Sequence, residues 1–229
     1  MNNYYTITYG FAIISLIITL LANGYINSSY KKYARIKNKK NITGAEAARE
    51  ILNKNGLKDI YVVETEGTLT DHYDPTRKVI RLSKDIYNEE SISAISVAAH
   101  ECGHAIQDKV GYAPMRIRST IVPIVNFSSK IGYVILFIGL IASSFDLIWT
   151  GIILEGAILL FQIITLPVEI DASKRAIKEL ENLKLVKEEE LPKCKTVLTA
   201  AALTYVAGVL TALLEILRLV LIYGRSNRD

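Results

Sequence analysis

Residues 131–168 read IGYVILFIGLIASSFDLIWTGIILEGAILLFQIITLPV, and the only charged side chains in this tract are Asp146 and Glu155. A helix crosses a ~30 Å hydrocarbon core with about 20 apolar residues, so the tract is too long for one crossing. The interruption Ser143-Ser144-Phe145-Asp146 divides it into two antiparallel helices joined by a short turn near Asp146. Working outward, a second apolar run covers about 5–25 and a third about 197–223. The reading is therefore a four-span integral membrane protein.

Charge placement sets its orientation. Residues 1–30 contain no Lys, Arg, Asp or Glu, whereas 31–40 carry Lys31, Lys32, Arg35, Lys37, Lys39 and Lys40. A secretory signal would place its positive charge ahead of the apolar run, so 1–30 is read as an uncleaved anchor. The positive-inside rule puts 31–40 and the charged segment 171–195 in the cytoplasm, with both termini, including 225–229, outside. The expected organisation is an anchor at 1–30, a cytoplasmic region at 31–130 and a transmembrane hairpin at 131–168. A cytoplasmic helix and loop at 169–195 and a last transmembrane helix at 196–229 complete it.

Composition agrees. Half of the 229 residues are apolar, 22% are charged and the net charge is +4, with a mean hydropathy of +0.25. This excludes a disordered chain, which needs low hydrophobicity and high net charge. A balance of +4, much of it beside a membrane segment, also argues against nucleic acid as a partner. Cys102 and Cys194 are the only cysteines, too few for a disulfide framework, and read as reduced thiols. Three charges fall within the spans: Glu155, Glu215 and Arg218. Glu215 and Arg218 share a helical face and are expected to pair, with Glu155 able to join them.

The cytoplasmic region reads as mainly helical with a small antiparallel sheet. Thr43 and Glu46 form a capping box before a helix over 41–56, which Asn55-Gly56 stops. Short strands are expected at 60–63 and 78–82, separated by a loop rich in Gly, Asp and Pro. From 89 a long helix begins, and it carries His100-Glu101-Cys102-Gly103-His104. Positions i and i+4 lie about 40° apart around a helix axis, so both imidazoles point at one spot. Two neutral imidazoles suit Zn²⁺, which lowers the pKa of a coordinated water to about 7, within reach of a neighbouring carboxylate base. Glu101 is that carboxylate.

A catalytic zinc needs a third protein ligand and an open position. No histidine follows His104, so the choice lies among carboxylates and His72. Glu169, just past Pro167, is the best placed. Asp171 is its rival but points about 200° away on a helix, which suits it to orienting a ligand instead. Cys102 lies on the wrong face for a ligand and reads as packing. His72, in a loop with Asp71 and Asp74, could hydrogen-bond an oxyanion or simply cap a turn. Tyr112, Arg116 and Arg118 could stabilise an intermediate or meet lipid headgroups.

These residues resemble the neutral zinc metallopeptidase family of bacterial membranes, the YugP-type proteins. The resemblance rests on Leu69-Thr70-Asp71-His72-Tyr73-Asp74-Pro75, Arg81-Leu82-Ser83, and Ala98-Ala99-His100-Glu101-Cys102-Gly103-His104-Ala105-Ile106-Gln107. Tyr112-Ala113-Pro114, Pro167-Val168-Glu169-Ile170-Asp171-Ala172-Ser173 and Arg175-Ala176 extend it over nearly the whole chain. A wider similarity is to the gluzincin membrane proteases, whose pattern after a membrane hairpin is Glu-x-x-Ala-Asp. Glu169 and Ala172 match it, and Ser173 stands where the pattern has Asp. The resemblance implies a gluzincin-like core with one Zn²⁺ on His100, His104 and Glu169, and Glu101 as base and later proton donor. It also implies that strand 78–82 is an edge that holds extended substrate by strand addition. The expected activity is hydrolysis of peptide or protein substrate at the cytoplasmic face of the bilayer; the alternatives are a non-hydrolytic zinc scaffold and, less in keeping with the motif, a transporter using the intramembrane charges.

Overall fold

The computed structural model describes residues 2–224, with side chains from residue 9 onward. Two compact units divide the chain. One holds the chain before Gly24, Ile117–Leu166 and the chain from Thr204; the other holds Gly24–Arg116 and Pro167–Leu203.

The second unit contains the site. It takes in the end of α1 (Asn2–Ala34), then α2 (Gly44–Lys54), β1 (Tyr61–Thr65), β2 (His72–Asp74), β3 (Val79–Ser83), α3 (Lys84–Asn88) and α4 (Ile92–Lys109). The later part of α6 (Phe145–Asn182) and the beginning of α7 (Leu191–Tyr223) complete it. Helix α2 starts where the capping box places it. The Thr43 N–H donates to Glu46 Oε2 at 2.7 Å, and the Glu46 N–H donates to Thr43 Oγ1 at 3.2 Å. Its buried residues Ala47, Ala48, Ile51 and Leu52 fall on one stripe against α4. It ends as Gly56 turns the chain at φ +68° and the Leu57 N–H reaches Leu52 O at 2.8 Å.

The sheet is mixed, which corrects the expected antiparallel one. Its order is β1-β3-β2, with β1 parallel to β3 (Val63 opposite Arg81) and β2 antiparallel to β3 (Tyr73 opposite Ile80). The chain leaves β1 through a loop that uses Gly67 at φ +100°, runs out along β2 and returns as β3 into the middle. Thus 78–82 is the central strand, not an edge. Its residues show why: Val79, Ile80, Leu82 and Ser83 are all buried, so both faces are covered. The open edge beside α4 is β2, held there by the Tyr73 hydroxyl, which donates to Asp108 Oδ2 at 2.9 Å. Asp71 secures the far end of β3 by accepting the Ser83 N–H at 2.7 Å. Burial raises the pKa of Asp71, although the Ser83 hydrogen bonds favour its charged form.

Helix α4 runs through the middle of this core. Ser91 caps it, accepting the Ala94 N–H at 3.0 Å. Ile92, Ile95, Ala98, Ala99, Cys102 and Ala105 are buried against Ile51, Leu82, Leu180 and Leu185. The run of small residues lets neighbours approach α4 from nearly every side.

The other unit is helical. With α1, the helices α5 (Ala113–Ile141), α6 and α7 make four that are long and apolar enough to cross a membrane. The α5–α6 turn falls at Ser143, whose φ of +51° reverses the chain. Ile148, Ile152 and Leu219 pack with Leu136, Trp149 and Ile216. Gly139 and Gly151 allow α5 and α6 to touch: a Cβ added at either would lie 2.8 Å from an atom of the facing helix, the small-residue packing favoured between membrane helices. Arg218 donates to both Glu215 oxygens at 2.9 and 2.6 Å. Glu155 stays out of that pair; it is buried, and its Oε1 has no hydrogen-bond partner among the described residues. The expected external position of 225–229 lies outside the described residues.

Candidate metal centre

Helix α4 presents His100 and His104 toward α6, where Glu169 follows Pro167. Close approach of the two helices depends on Gly103. A Cβ added there would lie 3.0 Å from the Ala172 carbonyl carbon and closer still to its oxygen. With only hydrogen at this point, the α4 backbone seats directly on that of α6.

Glu169 Oε2 consequently stands 3.2 Å from His100 Nε2 and 3.5 Å from His104 Nε2. The three donor atoms all lie within 4.8 Å of one another. Ligands at zinc–nitrogen and zinc–oxygen distances of about 2.0–2.1 Å in a tetrahedron stand roughly 3.3–3.4 Å apart, and the two contacts to Glu169 bracket that spacing. Glu169 is 2% exposed, a depth at which a carboxylate needs a charged or hydrogen-bonding counterpart.

Hydrogen bonds behind the rings fix which nitrogen faces inward. The Gln107 amide nitrogen donates to Val168 O and to Asp171 Oδ2, both at 2.8 Å. Neither of these can donate in return, so the Gln107 carbonyl oxygen must be the atom that faces His104 Nδ1, at 3.0 Å. That oxygen only accepts, so Nδ1 carries the proton and the neutral ring turns an Nε2 lone pair toward Glu169. On His100 the equivalent partner is Ser173 Oγ, 3.2 Å from Nδ1. With both rings neutral and protonated at Nδ1, two imidazole lone pairs and a carboxylate oxygen face one point, an arrangement a divalent cation satisfies; without one, a proton on Nε2 lets either ring donate to Glu169. The same surroundings act on His104. Burial alone would lower its pKa, but the Glu169 hydrogen bond and the negative charges of Glu101 and Glu169 raise it overall.

Glu101 is 7% exposed and close enough for its charge to act on His104. No hydrogen bond ties up its carboxylate among the described residues. Cys102 faces away, fully buried, with its thiol toward Ala48 O at 3.6 Å; burial pushes that thiol well above its usual pKa. Asp171 reaches His104 only through Gln107, and it also accepts Arg175 Nε at 2.6 Å. Tyr112 adjoins this chain, with the Arg175 guanidinium 5.9 Å from its ring centre. Arg116 lies against Gly111, and Arg118 belongs to the other unit. The structure does not bring His72 to the three donors. It lies exposed on the β2 edge, with Nδ1 2.8 Å from Thr70 O.

Two contributors carried no assigned role in the sequence reading. Gln107 follows His104 by three residues and so shares its helical face, a spacing that could have revealed it. Gly103 carries no such signal, because its role depends on what packs against it from α6.

Comparison with known proteins places the chain in a family. Residues 8–224 match a family model described as "Putative neutral zinc metallopeptidase". The chain is 46% identical over 217 residues to a protein of Bacillus subtilis (strain 168) named "Putative membrane protease YugP", covering 95% of this chain and 96% of that protein. No solved structure matches it.

Proposed function

The chain belongs to this family of neutral zinc metallopeptidases, and from that premise we propose that it is a membrane zinc endopeptidase working at the cytoplasmic face. His100, His104 and Glu169 would hold one Zn²⁺. When bound, the ion supplies Lewis-acid polarisation of a peptide carbonyl and makes water more acidic. The chain's own groups do the rest. Glu101 takes a proton from the attacking water and delivers it to the amine nitrogen as the C–N bond breaks. Gln107 holds His104 in the tautomer that points the Nε2 lone pair inward, and Ser173 orients the His100 ring. An extended substrate segment pairs with the open β2 edge, which carries His72 as a candidate substrate contact.

The observation that carries this reading is the meeting of three donors from two helices, with His100 and Glu169 69 residues apart in sequence, and an uncommitted carboxylate at Glu101. The cytoplasmic assignment is supported by the basic residues at 31–40. The test is zinc content and cleavage of an unfolded protein substrate by detergent-purified wild type and Glu101→Gln. Zinc in both with cleavage in wild type alone is the expected result. Equal cleavage by both removes Glu101 as the base; zinc with no cleavage by wild type favours the scaffold alternative, which has no use for that carboxylate.

A further inference from the structure

On the side of α6 away from Gly103, a groove of about 420 Å³ opens between α6 and α7. Ile170, Ile177 and Leu198 make it apolar, and Lys174 and Lys195 are its only charged lining residues. Neither lysine is in an ion pair or hydrogen bond among the described residues. Along α6 the lining runs Ile170, Ser173, Lys174, Ile177, so Lys174 sits between two apolar residues. Ile170 lies toward the apolar stretch of α6 and Ala202 toward that of α7, while Lys195 lies two helical turns from Ala202 at the opposite end. Two unneutralised ammonium groups beside apolar lining match an anion carried on a hydrocarbon chain. They do not match an apolar helix, which would bury both charges, or a free anion, which would leave the slot empty.

We infer that this groove binds an anionic phospholipid, with the headgroup phosphate on Lys174 and Lys195 and an acyl chain along Ile170 and Leu198. The proposal rests on the membrane placement of the helices and not on hydrolysis. The site is one hydrogen bond from the metal centre, because Ser173, which bonds His100, also lines the groove.

The experiment is native mass spectrometry of the full-length protein released from micelles doped with equal phosphatidylglycerol and phosphatidylcholine. Wild type should retain phosphatidylglycerol preferentially. A lysine near an anionic headgroup contributes on the order of fivefold, so Lys174→Gln with Lys195→Gln should abolish most of the preference. Thr199→Trp, at an exposed lining position, fills the slot and keeps both charges, and should abolish it too. Lys178→Gln with Lys184→Gln, the same charge loss outside the groove, should leave it intact. Circular dichroism confirms that each variant keeps wild-type helicity. Equal retention of the two lipids by wild type, a preference that survives the groove variants, or an equal loss in the control pair would each overturn the proposal.

Discussion

Replacing Gly103 with alanine adds one methyl group at the point where the metal centre is assembled. The new Cβ would lie 3.0 and 3.1 Å from the Ala172 carbonyl carbon and Cα, and nearer still to the carbonyl oxygen. Carbon pairs settle at about 3.5–4.0 Å, and all three obstructing atoms are backbone, so no side chain can swing away. The helices must part by roughly 0.5–1 Å. Overpacking of this kind costs about 1–3 kcal/mol, and alanine returns close to 1 kcal/mol of helix propensity. The net loss of stability is therefore about 0–2 kcal/mol, and the protein stays folded. The metal centre fares worse, because ligand distances tolerate only about ±0.2 Å. Misplacement on the order of 1 Å costs roughly 10²-fold in rate. The expected phenotype is a folded protein with wild-type helicity, zinc content well below one per chain after dialysis against a weak chelator, and cleavage of unfolded protein down about a hundredfold. Gly156→Ala is the control: nothing lies within 4 Å of a Cβ added there, so zinc and activity should be unchanged. Full zinc occupancy and wild-type cleavage in Gly103→Ala would refute the helix-contact reasoning.

Further outcomes follow from the same geometry. Glu101→Gln keeps its zinc, measured by elemental analysis, and loses about 10²–10⁴-fold in turnover. Gln107→Leu removes the partner of His104 Nδ1 and its link to Asp171, so zinc affinity in a competition titration falls about 10–100-fold. Ser173→Ala acts on His100 alone and should lower affinity by a smaller factor in the same titration. His72→Ala leaves zinc affinity and thermal unfolding unchanged; any loss in turnover without a change in zinc identifies His72 as a substrate contact.

Much of this architecture was legible because its signals are local. The apolar runs that became α1, α5, α6 and α7, the break at Ser143-Ser144, and the Thr43–Glu46 cap all depend on residues within a few positions of one another. The i, i+4 histidines are local too. Strand order was not legible. β2 has three residues and little pattern, and nothing within 78–82 says that its two neighbours come from opposite directions, although its short supply of polar positions hints at burial on both faces. The five-residue α3 was not anticipated either. The support of the imidazoles was partly hidden for a similar reason. Asp171 was suited to orienting a ligand, but its route runs through Gln107, and Ser173 takes the hydrogen bond to His100. Those assignments need the α4–α6 crossing, a contact between segments more than sixty residues apart.

The brevity of β2 has a consequence for selectivity. On the proposed strand-addition mode, three residues along an outer edge would give an incoming peptide only a few main-chain hydrogen bonds, each worth about 1 kcal/mol net. A freely diffusing polypeptide would be captured weakly by so short a rail. A chain already confined to the same bilayer arrives at high local abundance, which can substitute for intrinsic grip. Choice of target would then be set less by the residues flanking the scissile bond than by which proteins share the lipid sheet and expose a slack stretch next to it.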